Sequence, residues 1–401
     1  MTDPNAVHAS AIVIDTHADT PQRFADEGWD FTGPLDGGML NLDSAQRGNL
    51  AAEFFAIWAE PTQWKGHYAH RTLALIDAVL EQVHRHPNRM RLGMSADDIE
   101  AAHRDGVFCA LMGIEGGHSI ENDLGLLRKF YRLGVRYMTL TWANTNEWAD
   151  SSGDLADETV PHHGGLTDFG RSVVREMNRL GMMVDVSHVS DKTFHDVLAT
   201  TRAPIIATHS SARALTPAPR NLTNEMLRAM ATNNGVVMVN FYPGFIEDGW
   251  RLAWTAQRPE RQVEHERVAA EYRAKGEPVP YAISNGIDRA FAAKLPRAPF
   301  KSLIDHIDHV AQVAGIDHVG IGTDFDGIPN LPEGIDSAAD LPKITAALME
   351  RGYTAEQIRK LLGGNLLRVF RDVAGARDVA GVHDVQAAAE DAALPRQPRM
   401  R

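Results

Sequence analysis

A histidine and an aspartate stand two residues apart in the run Ile14-Asp15-Thr16-His17-Ala18-Asp19, directly after a short β-branched stretch. In an extended chain, residues two apart point to the same side, so His17 and Asp19 can chelate one metal ion together. Residues 110–118, ALMGIEGGH, end an apolar run in Glu115 between glycines. That carboxylate is either a salt-bridged or capping group or a bridge between two cations, with glycines letting the backbone approach closely. His118 reads as a hydrogen bonder within the loop. MVDVSH (183–188) and IIATHSS (205–211) bring His188 and His209 to the ends of successive apolar runs. There two neutral imidazoles can share a borderline-soft metal such as zinc, with Asp185 orienting a ligand or accepting buried hydrogen bonds. Last, HVGIGTDFDG (318–327) supplies Asp324 and Asp326. Asp324 suits a general base beside an activated water, while Asp326 holds the loop; the plainer alternative is an Asp-Gly turn.

These groups need a scaffold that gathers residues from distant parts of the chain. Short β-rich runs at 12–14, 108–114, 137–140, 182–186, 204–207, 236–240 and 319–321 alternate with segments of helical periodicity at 169–180, 222–231, 303–313 and 355–362. The alternation predicts an α/β fold with parallel strands. His17, Glu115, His188, His209 and Asp324 each follow a different apolar run. In a closed (β/α)₈ TIM-like barrel those strand ends converge on one mouth, whereas in an open sheet the outer ones lie apart, so the barrel is the expected architecture. Taken together the groups predict binuclear metal-assisted hydrolysis.

The composition fits a folded globular protein. Of 401 residues, 44% are hydrophobic and 23% charged, near the ordinary averages. The formal charge of −13 repels polyanions and anionic lipid, so neither nucleic acid nor membrane is an expected partner. Cys109 is the single cysteine, which excludes an intrachain disulfide framework. No basic leader or long apolar span is visible, and a cytoplasmic location is expected. Residues 1–375 read as one barrel domain. It is interrupted at 247–299 by a Trp-containing piece and a charged helix at 258–275, lying over the mouth or facing a partner; 376–401 read as a tail.

Ten segments in order, IDTHADT, GIEGGHS, RYMTLTWANTNEWADS, GLTDFG, REMNRLGMMVDVSHVS, ATHSSARAL, PRNLTNEM, VMVNFYPGF, GIGTDFDGI and GGNLLRVF, make the chain resemble the membrane (renal) dipeptidase family, zinc peptidases of the amidohydrolase-like barrel group. The match runs from about Val13 to Phe370. The resemblance implies that His17 and Asp19 bind one Zn²⁺ and His188 and His209 the other, with Glu115 bridging and Asp324 as the acid/base. It implies that Arg220 pairs with the dipeptide's C-terminal carboxylate through its planar fork, and that Tyr242 lines the substrate pocket. A homodimer is the assembly it favours, and no C-terminal anchor signal is present.

One position departs from the family pattern. Where many members read Leu-Thr-His, with a histidine that helps bind substrate and polarise its carbonyl, this chain has Leu140-Thr141-Trp142. An indole donates one hydrogen bond and cannot become cationic, so Trp142 alters substrate preference and rate more than reaction class. His162 and His163 on the following loop are the residues that could compensate. The expected function is a zinc dipeptidase cleaving L-Xaa-L-Xaa and L-Xaa-D-Xaa peptide bonds through a hydroxide activated by two metals. The alternatives are another binuclear-metal amide or ester hydrolase, acting on an N-acyl amino acid or a lactone, and a non-catalytic metal-stabilised binding barrel.

Overall fold

The computed structural model describes residues 3–377, so most of the expected tail lies outside the described residues. Nine parallel strands form one sheet: β1 Val13–Ala18, β2 Leu50–Trp58, β3 Met90–Leu92, β4 Phe108–Glu115, β5 Val135–Thr139, β6 Met183–Asp185, β7 Ile206–Ser210, β8 Val236–Asn240 and β9 Val319–Gly322. Eight of them run in the order β1-β2-β4-β5-β6-β7-β8-β9, and β3 pairs with β4 beside that path. The ring is drawn together where β1 and β9 end. Asp19 N–H donates to the Phe325 carbonyl at 2.8 Å and Asp324 N–H to the His17 carbonyl at 3.0 Å, alongside a parallel bridge between Ala18 and Phe325. The fold is the expected α/β barrel.

Side-chain alternation divides its apolar residues into two layers. Val13, Phe55, Ile57, Ala110, Met112, Met138, Val184, Ala207, Val237 and Val239 pack in the cluster shared with the surrounding helices. Ile14, Phe54, Leu111, Tyr137, Met183, Ile206 and Met238 form the second cluster with Leu366, Phe370 and Val373 of the last helix, Asn365–Gly375. Gly113 sits on the β4 face that carries Leu111 and Glu115, and the Tyr137 ring fills the space a side chain would occupy: a Cβ on Gly113 would lie 2.0 Å from that ring.

β2 and β3 were not among the predicted strands. β2 is buried along nearly its whole length and still carries a carboxylate, Glu53, paired in register with Asp15 of β1. Asp15 accepts from the Thr323 amide, the Thr323 hydroxyl and the His17 amide. Burial pushes Asp15 up to about 6 and Glu53 well above the ordinary carboxylate range, with the Asp15 charge adding to the effect. Glu53 is thus held towards its protonated form beside Asp15, and both of its oxygens are buried without a hydrogen-bond partner.

The helices start and stop where their local chemistry directs. Asp168–Leu180 begins at Thr167, whose hydroxyl accepts from the Gly170 amide, and ends at Gly181 with φ 75°. The charged helix spans Arg258–Lys275 and ends at Gly276 with φ 70°. Helices Asp248–Ala256 and Tyr281–Ala292 flank it. Among the described residues no helix is long and apolar enough to cross a membrane. Cys109 is buried, and burial pushes its thiol up to about 12, as expected of an inert thiol.

Because the Tyr137 ring has no room to retreat in a filled barrel, Gly113→Ala is expected to destabilise the protein by about 1–3 kcal/mol. A fall in the urea midpoint checks this; an unchanged midpoint would show the interior to be looser than described.

Candidate active site

The strand ends deliver the predicted residues to one place. His17 lies in β1, Glu115 ends β4, and His209 lies in β7. His188 and Asp324 follow β6 and β9 in left-handed backbone conformations, with φ 71° and 63°, which non-glycine residues adopt at a cost of about 1–3 kcal/mol. Both are tied in place. The His188 carbonyl accepts the Ser152 amide at 2.8 Å and the hydroxyls of Ser152 and Ser151 at 2.9 and 3.2 Å. Asp324 is fixed by its amide bond to the His17 carbonyl and by Asn240 Nδ2, which donates to its Oδ2 at 3.0 Å.

Glu115 stands at the centre with its two oxygens facing different partners. Oε2 lies 3.4 Å from His17 Nε2, which is itself 3.6 Å from Asp19 Oδ2. Oε1 lies 2.8 Å from His188 Nε2 and 3.5 Å from His209 Nε2. His17, Asp19 and Asp324, and separately His17, Glu115 and His209, bring one ligand atom each within 4.8 Å of one another.

The imidazoles of His17 and His209 are held with Nε2 inward. The Tyr137 hydroxyl donates to the Thr16 carbonyl at 3.0 Å, so at its 3.0 Å contact with His17 Nδ1 it accepts. The Thr208 hydroxyl donates to Asp185 at 2.6 Å and accepts from His209 Nδ1 at 2.8 Å. Asp185 is thus a buried acceptor that orients His209 through Thr208, joining the two roles its position suggested.

The titratable groups at this site shift one another strongly. Burial opposes ionisation of Glu115, yet the charge of His17 beside it and the nearby nitrogens of His188 and His209 hold it well below the ordinary range. Burial pushes Asp19 up to about 7 and raises Asp324, with the Glu115 charge adding to the shift. Burial depresses His188 to about 4, with Arg220 contributing, and holds His209 well below its ordinary value, helped by His17. His17 Nε2 is buried without a hydrogen-bond partner. Imidazole nitrogens facing carboxylate oxygens are the donor set of a divalent metal, and these residues fit one.

The remaining predicted residues surround this cluster. Arg220 reaches the His209 carbonyl at 3.2 Å and the Ser210 hydroxyl at 3.4 Å, and its Nε has no partner. Tyr242 is half-buried against Phe245 and Trp250. Trp142 lies 6.3 Å from the His188 ring, centroid to centroid. His162 and His163 are exposed, and the His163 ring is engaged with the Asn146 carbonyl at 2.8 Å, so that ring is committed to its loop rather than to the cluster. His118 bonds the Ala59 carbonyl at 2.8 Å. Asp326 accepts from the Thr20 hydroxyl and the Met39 amide, both at 2.7 Å, which makes it a loop tie.

Three residues here carried no chemical signal in the sequence. Asn240 was visible only as the end of an apolar run. Trp58 sat in an unrecognised strand, and Tyr281 arrives from 247–299, where nothing local ties it to the barrel.

The chain matches the family model described as membrane dipeptidase (peptidase family M19) over residues 1–381. The dipeptidase tcpJ of Claviceps purpurea is 33% identical over 84% of this chain and 69% of its own. Among solved structures, the probable dipeptidase PvdM from Pseudomonas aeruginosa superposes with a TM-score of 0.76 at 27% identity, over 93% of this chain and 98% of that one. A metallopeptidase from Rhodobacter sphaeroides bearing a phosphinate mimic of the dipeptide L-Ala-D-Ala gives 0.72 at 26% identity, over 91% and 100%.

The pH dependence of the metal-free protein follows from Asp19. Its pKa is higher folded than unfolded, so the native state binds the extra proton, and stability falls as pH rises from about 4 towards 7. Asp19→Asn is expected to remove part of that fall. Urea midpoints of chelated protein at pH 5 and pH 8 check it: the variant should gain more at pH 8 than at pH 5.

Proposed function

The chain belongs to the membrane dipeptidase family, peptidase family M19, whose members are metal-dependent hydrolases, and from that premise we propose that it hydrolyses the peptide bond of dipeptides at the Glu115 cluster. The observation that carries the reading is the division of labour at Glu115, one oxygen towards His17 and the other towards His188 and His209. His17 and Asp19 would hold one divalent ion, His188 and His209 a second, and Glu115 both; we take the metal to be zinc. Such a pair supplies positive charge that polarises a carbonyl and makes water acidic enough to attack at neutral pH.

The protein groups do the rest. Arg220 pairs with the substrate carboxylate, its unpartnered Nε available to complete a bidentate contact, and Tyr242 packs beside it. Asp324, the partly exposed carboxylate of the cluster, takes a proton at Oδ from the attacking water and returns it to the departing amine. Asn240 positions that carboxylate through Oδ2, leaving the other oxygen for the transfer. Trp142 can give one indole hydrogen bond where many relatives carry a histidine. Substrates with either an L- or a D-residue at the C-terminal position are expected, in line with the L-Ala-D-Ala mimic held by the relative from R. sphaeroides. The homodimer remains the assembly we propose.

Zinc-reconstituted protein should cleave a panel of L–L and L–D dipeptides, lose the activity on chelation, and not cleave the same compounds with the amine acetylated. Asp324→Asn is expected to lower kcat by about 10²–10⁴ with metal content unchanged. Equal rates for free and acetylated amines would turn the assignment towards an N-acyl amino acid hydrolase. Asn240→Ala should reduce kcat by about tenfold, with KM and metal content close to those of the parent, as measured by steady-state kinetics and metal analysis.

A further inference from the structure

One wall of the mouth has, apart from the Trp142 indole N–H, no part in the chemistry proposed so far. In the ring of eight strands β4 stands opposite β8, and β2 and β5 flank β4. Arg220 and Tyr242, which follow β7 and β8, therefore lie across the Glu115 cluster from the ends of β2 and β5. Those two ends carry indoles. Trp58 is the last residue of β2 and Trp142 lies just past β5, with ring centroids 4.9 Å apart and Trp142 next to His188.

A third ring comes from a distant part of the chain. Tyr281 opens the helix Tyr281–Ala292 and meets Trp58 edge to face at 6.2 Å. It is pinned: its hydroxyl donates to the Asp326 carbonyl at 2.7 Å, Asn285 donates to the same carbonyl at 2.9 Å, and Val279 N–H donates to Gln63 Oε1 at 2.8 Å. Trp58, Trp142 and Tyr281 all keep part of their surface uncovered, whereas core aromatics such as Tyr137 and Phe54 are fully buried. The three form a continuous uncharged face at the edge of a strongly anionic cluster. The Trp58 indole N–H has no acceptor.

We propose that Trp58, Trp142 and Tyr281 bind the side chain of the substrate's N-terminal residue and select a large apolar or aromatic one. The inference rests on the dipeptidase reading, which sets the direction. With the C-terminal carboxylate on Arg220 and the scissile bond at Glu115, the N-terminal residue lies towards β2 and β5. An aromatic side chain there stacks on the indoles and removes apolar surface from water. A glycine leaves that surface wet, and an acidic side chain gives up hydration against the indoles without gaining a partner.

The test uses dipeptides that begin with Phe, Leu, Gly or Asp and share one C-terminal residue. kcat/KM is measured with zinc-loaded protein, and affinity for the same compounds by calorimetry with the Asp324→Asn protein, so that occupancy is read without turnover. The Phe-first compound is expected to exceed the Gly-first one by about tenfold or more. Trp142→Ala and Tyr281→Ala should each lower that ratio by about five- to tenfold, while Tyr281→Phe, which keeps the ring, preserves it. Two results overturn the assignment while leaving a dipeptidase: an unchanged ratio in both folded alanine variants, or a parent preference for Gly- or Asp-first substrates. Failure of the parent to cleave any member would remove the dipeptidase reading, and this wall with it.

Discussion

Five carboxyl groups, those of Asp15, Asp19, Glu53, Glu115 and Asp324, are gathered at one end of the barrel, and the first four are no more than 4% exposed. Buried anions at such density raise one another's pKa and oppose folding unless protons, donors or cations compensate them. The structure uses all three kinds of compensation in separate places. Glu53 is held towards its protonated form beside Asp15. Asp15 collects the Thr323 and His17 donors. Asp19, Glu115 and Asp324 are left facing three imidazoles and Arg220, which is where a divalent ion belongs. The placement of Tyr137, Thr208 and Asp185 behind the histidines then follows, because a ring that must present Nε2 needs an acceptor at Nδ1.

The same residues close the barrel. β1 and β9 are joined at their ends by backbone bonds involving His17, Asp19, Asp324 and Phe325, so the segments that bring His17, Asp19 and Asp324 to the cluster are also the seam of the sheet. Left-handed conformations at His188 and Asp324 are the local cost of turning side chains inward immediately after a strand. That cost is met by the serine bonds to the His188 carbonyl and by Asn240. Rigidity at the mouth therefore comes from main-chain closure first and from side-chain packing second.

What was legible in the sequence had short-range causes. β8 is an uninterrupted apolar run and was read at its observed limits, as was the charged helix Arg258–Lys275. Residues whose chemistry follows from type, such as His17, Glu115 and Asp324, could be placed because strand ends in a parallel barrel share one face. β2 escaped because Leu50–Trp58 mixes three alanines and a glutamate into its apolar residues, so neither alternation nor a continuous run was evident. Glu53 is explained only by its partner on the neighbouring strand, and pairing between strands is not encoded locally. Trp58 was lost with β2. Tyr281 is brought to the mouth by bonds to Asp326 and Gln63, contacts spanning large sequence distances that no window of residues contains. The compensating role considered for His163 gave way to a nearby carbonyl, since a loop histidine satisfies itself with the closest acceptor.

The Asp326 carbonyl has two duties that the fold does not separate. It lies two residues past Asp324 on the same turn, and it receives both the Tyr281 hydroxyl and the Asn285 amide. A hinge movement of the helix Tyr281–Ala292 would thus pull on the backbone that aims the Asp324 carboxylate. The aromatic side of the mouth and the Asp324 carboxylate therefore hang on one turn, and strain applied to either is carried to the other.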